Sequence, residues 1–204
     1  MSRQDKELEV KFYISDLGSI ETLLKQTNAT LIQPRTYEYN LRFDNPNGDL
    51  TRESRVLRLR KDTANRLTYK GPGTVIDGVS LRREIEFSVS DFRNAQALLE
   101  ALGFQISMIY EKFRTVYELN GVLVTLDEMP FGNFIEIEGP DGSSIKTLSL
   151  KLGLRWEARI TDSYAGLFQT ARGKLGLKVA NLIFSNFKDF EVLPIHLGVR
   201  RADD

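Results

Sequence analysis

The 204-residue chain has no cysteine and a single histidine, His196. The first absence rules out disulfides and thiolate metal sites and suits a reducing compartment. The second leaves nothing for a histidine-rich zinc centre or a Ser-His-Asp triad, and His196 reads as a structural residue in a mixed tail. Charge of one sign is also missing: 28 Lys and Arg balance 28 Asp and Glu, whereas a dedicated nucleic-acid binder would be clearly basic. No apolar run is long enough to cross a bilayer, and the first residues show no secretory leader. The expectation is a cytoplasmic protein with no nucleic-acid or membrane partner. A hydrophobic content of 41% is enough for a true core, in one domain with extra terminal elements or in two small ones.

What the chain does have is charge at every second residue of its strands. Glu7, Glu9 and Lys11 share one face of a strand, with Leu8, Val10 and Phe12 on the other. Arg82, Glu84 and Glu86 repeat the pattern, as do Arg58-Arg60, Lys112-Arg114 and Glu136-Glu138. Eight strands are predicted, at about 5–13, 31–44, 54–62, 65–71, 81–89, 104–118, 121–129 and 132–140. Turn chemistry separates them at Asn45-Pro46-Asn47-Gly48, Lys61–Asn65, Gly71-Pro72-Gly73, Asn120-Gly121 and Pro130-Phe131-Gly132. Helices are predicted from Asp16 and from Asp91, each with one apolar face. Others are expected from Ser143 or Ser144 to Gly153, from Asp162 to Arg172, and, as an amphipathic segment, over 174–190.

Glu9–Asp16 aligns with Glu84–Asp91 at an offset of 75 residues, and Glu7 then falls opposite Arg82. Each half reads strand, helix, strand, strand, strand, which suggests a closed barrel with pseudo-twofold symmetry and no free edges. The pattern alone leaves two arrangements open. The charges face water around a small apolar core, or they line the barrel and helices cover an apolar exterior. The inward set would be Glu7, Glu9, Lys11, Glu38, Arg42, Arg58, Arg60, Lys70, Arg82, Glu84, Glu86, Lys112, Arg114, Asp127, Glu136 and Glu138, eight carboxylates and eight cations.

The ordered set Glu7-x-Glu9-x-Lys11, Leu57-Arg58-Leu59-Arg60, Leu67-Thr68-Tyr69-Lys70, Arg82-x-Glu84-x-Glu86, Glu111-Lys112-Phe113-Arg114, Asp127, Gly132 and Glu136-Ile137-Glu138 resembles the CYTH superfamily. These are the triphosphate tunnel metalloenzymes, with class IV adenylate cyclases and thiamine triphosphatases among them. Leu152-Gly153-Leu154 and Ser163-Tyr164 extend the resemblance to about residue 168. It implies an α+β fold: a closed eight-stranded antiparallel β-barrel with helices packed outside, a triphosphate-containing small molecule in its charged lumen, and Mg²⁺ or Mn²⁺. The tunnel domain would span 1–172 and a partly helical tail 173–204. A homodimer is compatible with it.

The chemistry gives each residue type a role. A triphosphate needs several cations, and Arg58, Arg60, Lys70, Arg82, Lys112 and Arg114, then Arg42, are the substrate-binding candidates. Carboxylates repel phosphate and make sense as ligands of hard cations, for which Glu7, Glu9 and Glu138 are the first choice. Lys11, Glu84, Glu86, Asp127 and Glu136 form the catalytic set, the carboxylates completing the metal site, holding a second ion or orienting the cations. Such a site works by positioning and charge stabilisation. Hydrolysis by an activated water is the favoured activity. Cyclisation of ATP to cyclic AMP and pyrophosphate is the alternative, and a non-catalytic polyphosphate or nucleotide binder is third. Gly132 reads as a turn residue, Glu128 as outward-facing, and Tyr164 as a packing residue.

Overall fold

The computed structural model describes residues 6–204, so the first residue of the strand expected at 5–13 lies outside it. Strands β1 (Lys6–Ile14), β2 (Thr30–Asp44), β3 (Val56–Lys61), β4 (Asn65–Ile76), β5 (Val79–Val89), β6 (Gln105–Leu119), β7 (Val122–Met129) and β8 (Gly132–Glu138) close into a barrel in the order β1-β5-β4-β3-β2-β6-β7-β8. Every neighbouring pair is antiparallel. Exchanging each strand of the first four with its counterpart in the second four leaves this ring unchanged, so the internal repeat is a property of the fold. Glu7 and Arg82, equivalent in the repeat, are register partners between β1 and β5.

The repeat extends to the helix caps. Asp16 accepts from Gly18 N at 2.8 Å ahead of α1 (Leu17–Gln26), and Asp91 accepts from Asn94 N at 2.7 Å ahead of the corresponding helix, Phe92–Ala101. Between them, Asp49–Arg52 forms a single-turn α2 inside the stretch expected to be a plain turn. Asp44 makes it by accepting from Leu50 N and Thr51 N, both at 2.9 Å. Phe92–Ala101 is thus α3; α4 (Gly142–Lys151), α5 (Tyr164–Leu175) and α6 (Pro194–Leu197) follow.

Helices cover the apolar exterior. α1 and α4 bury Ile20, Leu24, Ile145 and Leu148 against Val10, Val124, Ile135 and Ile137. α3 covers Leu41 and Leu59 with Leu99. A third cluster, with Phe131, Phe134, Leu167 and Phe168, packs α5 against the barrel.

Three sequence expectations are corrected. Gly71-Pro72-Gly73 is not the β4–β5 turn: β4 runs through it with a register shift between Lys70 and Gly73. Proline, which has no N–H to give a ladder, is tolerated at such a bulge. The true turn is Asp77-Gly78, both with positive φ. No amphipathic helix spans 174–190. α5 ends at Leu175 because Gly176 takes the left-handed cap at φ 63°, and only a 3₁₀ turn, Phe184–Phe187, follows before α6. Because α5 runs past residue 172, the expected boundary of the tail falls inside a helix.

The C-terminal segments seal the wall. Along 109–111, β6 lies beyond the end of its pairing with β7, and there Leu182 bonds Ile109 O and Glu111 N, each at 2.9 Å. Past its pairing with β5, β1 is bonded by Ile160 at Lys11 and by Ala202 at Tyr13.

Candidate active site

The alternation places the charges inside. A cavity of about 570 Å³ runs through the barrel, lined by Glu7, Glu9, Lys11, Glu38, Arg42, Arg58, Arg60, Lys70, Arg82, Glu84, Glu86, Lys112, Arg114, Glu136 and Glu138. Leu59, between Arg58 and Arg60, is fully buried on the outside under α3. Glu128 faces out and pairs with Arg35 at 2.6 Å. The arrangement with charges around an apolar interior is excluded.

One expected wall residue, Asp127, is not part of the cavity surface. It is fully buried beneath lumen-lining side chains, where it accepts from Lys112 at 3.0 Å, from Arg114 at 2.6 and 2.7 Å and from Tyr164 at 2.8 Å. Tyr164 is therefore more than packing. It lines the cavity from the first turn of α5, and Lys11 and Lys112 lie 4.9 and 5.4 Å from its ring centroid. Ser163-Tyr164 was visible in the sequence, but no periodicity places a helix across a barrel end. Tyr110 and Thr68, which share the strand parity of Lys112 and Lys70, also contribute: each bonds Arg58, at 3.2 and 3.1 Å. Gly132 opens β8 at φ 138°, and a Cβ there would meet the Tyr13 ring at 2.6 Å.

Most cations are held in place by carboxylates. Glu86 accepts from Arg58, Arg60 and Thr68 at 2.7–3.3 Å. Lys70 bridges Glu7 at 2.6 Å and Glu84 at 3.0 Å. Glu136 pairs with Lys11 at 2.9 Å and with Arg114. Burial opposes charge at Glu136, but Lys11 and Arg114 outweigh it and keep the carboxyl well below its ordinary range. Burial likewise opposes charge at Glu38, yet Lys112, Arg114, Arg60 and Arg58 hold it down to about 2.

Three of the expected site residues stand outside these pairs. Among the described residues Arg42 and Arg82 have no acidic partner within 4 Å, and Glu138 no basic one. Burial, together with Arg58 and Arg82, depresses the Arg42 guanidinium's pKa despite help from Tyr110 and Asp44. Burial, then Glu7 and Glu9, pushes the Glu138 carboxyl up to about 7. The lumen thus has two guanidiniums without a carboxylate and one carboxylate without a cation.

The carboxylate cluster suits a hard divalent ion. Glu9 and Glu138 are register partners, and Glu7 lies two residues along the same face. Among the described residues no three acidic side chains converge as a finished chelate, and Lys70 occupies Glu7. The crowding at Glu138 is nonetheless what a cation would relieve, and carboxylate oxygens are the donors Mg²⁺ or Mn²⁺ takes.

The CYTH domain model matches residues 5–151. The chain belongs to the CYTH family. It is 28% identical over 135 residues to a provisionally named adenylate cyclase of Methanocaldococcus jannaschii, covering 65% of this chain and 75% of that one. It is 25% identical over 174 residues to the adenylate cyclase CyaB of Aeromonas hydrophila, covering 79% and 87%. Among solved structures, a Hippeastrum protein provisionally named an adenylyl cyclase, and described as having a dominant triphosphatase activity, superposes with a TM-score of 0.61 at 21% identity. That match covers 95% of this chain and all of the other. No helix among the described residues is long and apolar enough to cross a membrane.

Proposed function

We propose that this CYTH protein is a divalent-metal-dependent triphosphatase that binds a triphosphate in the barrel and hydrolyses a phosphoanhydride bond. The observation that carries the reading is the unpaired charge in the lumen, with Arg42 and Arg82 lacking a carboxylate and Glu138 lacking a cation among the described residues. A polyanion bound together with a divalent ion supplies both missing partners.

Arg42, Arg58, Arg60, Arg82 and Lys112 bind the phosphate oxygens, and Lys70 and Arg114 move between carboxylate and phosphate as the substrate enters. Glu7, Glu9 and Glu138 would hold the Mg²⁺ or Mn²⁺, which when bound supplies charge neutralisation and a more acidic water. Glu84 and Glu86 fix Lys70 and the Arg58-Arg60 pair. Glu136 keeps Lys11 charged and aimed into the lumen: burial alone would depress this ammonium, but Glu136 and Glu9 raise it above its ordinary value. Asp127 orients Lys112 and Arg114 from beneath. Catalysis is then preorganised charge around the transferring phosphoryl group.

The second reading is adenylate cyclase, favoured by the names of the two relatives at 25–28% identity. Against it, Tyr110 and Tyr164 are the only aromatic side chains lining the cavity among the described residues, and Tyr164 is flanked by two ammonium groups, which leaves little aromatic surface for a base. Incubation with Mg²⁺ or Mn²⁺ and either triphosphate or ATP, followed by separation of phosphate, pyrophosphate and cyclic AMP, decides between them. Phosphate and pyrophosphate from triphosphate are expected. Cyclic AMP as the main product from ATP would overturn the hydrolase reading.

A further inference from the structure

Tyr110 projects into the lumen from β6, two residues before Lys112, and lines the cavity although it is buried. Arg58 Nη1 donates to its hydroxyl at 3.2 Å. The phenol therefore accepts a bond from a cation while its own proton has no protein acceptor among the described residues. Three other tyrosines differ in this: Tyr37 donates to Glu111, Tyr117 to Glu21 and Tyr164 to Asp127.

The corner around Tyr110 is short of partners in general. Asn40, its register partner on β2 and also that of Arg60 on β3, is fully buried with neither amide atom hydrogen-bonded. The Nε atoms of Arg58 and Arg60 and both Glu38 oxygens are unbonded as well, although Glu38 lies 3.5–3.9 Å from Arg60, Lys112 and Arg114. Buried polar groups in folded proteins are nearly always satisfied. Three of these atoms are acceptors, but the other three, Asn40 Nδ2 and the Nε atoms of Arg58 and Arg60, are donors beside Arg42 that an oxygen-rich ligand would satisfy.

We propose, on the basis of the triphosphatase reading, that Tyr110 is a substrate-contacting residue whose hydroxyl, aligned by Arg58, donates a hydrogen bond to a phosphate oxygen of the bound triphosphate. The arginines supply charge over a broad arc; the phenol adds one short, directional donor from a side chain with two rotatable bonds. Accepting from a guanidinium polarises its O–H and strengthens it as a donor. The charged groups around it are Glu38 and Arg42 on β2, Arg58 on β3 and Lys112 on its own strand. Burial raises the phenol's pKa, but Arg58 and Lys112 outweigh burial and bring it below the ordinary value.

Tyr110→Phe removes only the hydroxyl. With Mg²⁺ and inorganic triphosphate, kcat/KM should fall about 10- to 100-fold, as for loss of a hydrogen bond to a charged group. Calorimetric binding of the non-hydrolysable imidotriphosphate should weaken in the same direction, with the ligand-free melting temperature little changed. A variant within twofold of the unaltered protein in both measurements, or one that loses melting temperature alone, overturns the assignment. Should Y110F not fold, Y164F protein carrying 3-fluorotyrosine reads the same contact, because Tyr110 is then the only tyrosine lining the cavity. A ¹⁹F signal that moves on adding imidotriphosphate supports the contact; none moving overturns it. If unaltered protein neither binds nor cleaves triphosphate, the triphosphatase reading itself falls and takes this role with it. If it does both while Y110F matches it, only the role of Tyr110 is lost.

Discussion

Glu38 is the most enclosed carboxylate of the cavity wall, at 1% exposure. Its folded pKa of about 2 lies below the roughly 4.3 of a free glutamate. A depressed pKa contributes stability that is fully present above the unfolded value and is lost as pH falls through the folded one. The pair of values corresponds to about 3 kcal/mol. Urea midpoints taken from pH 6 down towards pH 2 should therefore decline across that window in the unaltered protein. Glu38→Gln should be less stable at pH 6, and the gap should narrow as the window is crossed. A constant gap would mean that Glu38 does not stabilise through its charge. Glu138 has the opposite character, since it sits among Glu7, Glu9 and Glu84. Glu138→Gln should raise the melting temperature without divalent ion and shrink the increment Mg²⁺ gives, while abolishing turnover; an unchanged Mg²⁺ increment would remove Glu138 from the metal set. Strand parity made both residues legible in the sequence, because a two-residue period fixes a face. It does not fix exposure to the cavity: Asp127 faces inward as its parity requires, and Lys112, Arg114 and Tyr164 of α5 cover it.

Among the elements, β3 tests the inside–outside division most directly. Leu59→Ala should cost about 2–5 kcal/mol as a large-to-small change under α3 and leave KM nearly unchanged in the folded fraction. Arg58→Ala should raise KM with a smaller loss of melting temperature. A strong KM effect from Leu59→Ala would contradict the register. α5 depends on its cap, Ser163 Oγ accepting from Gly166 N at 3.1 Å. Ser163→Ala should cost about 1 kcal/mol and, by loosening the turn that carries Tyr164, lower kcat more than stability. Unaltered kinetics would show that Tyr164 is positioned by its Asp127 bond alone. Alternation and Asp caps announced eight strands and the helices at 16 and 91. Gly71-Pro72-Gly73 misled because the same residues that end a strand also bulge one, and 174–190 misled because Leu177, Leu182 and Phe187 are buried in the α5 cluster with only a 3₁₀ turn among them.

Across the whole molecule, the offset of 75 residues in the sequence becomes a ring that maps onto itself, so the barrel was legible from the repeat. The sealing of its wall was not. Where β1 outruns β5 and β6 outruns β7, the partners are Ile160, Leu182 and Ala202, single bridges with no strand signature around them. Deleting residues 178–204 would open the β6 gap, leave the β1 gap with Ile160 but without Ala202, and expose the surface under Leu182, Phe187 and Leu197. The expected result is a fall in melting temperature of more than about 10 °C, or failure to fold, well beyond what loss of a surface segment gives. A truncated protein that melts like the full chain would show the bridges to be incidental.

The closed ring also sets the order of events at the ribosome. β1 emerges first, yet its two neighbours, β5 and β8, lie at 79–89 and 132–138. At synthesis rates of about 5–20 residues per second, β8 follows β1 by roughly 6–25 seconds. Until β5 is made β1 has neither neighbour, and until β8 follows it keeps one open edge, of the kind that seeds edge-to-edge aggregation. Glu7, Glu9 and Lys11 then crowd one face of the nascent strand with charge, and neighbouring chains on a polysome meet repulsion and hydration where an apolar strand would offer adhesion. The residues that line the finished tunnel thus protect the unfinished chain before there is a tunnel to line.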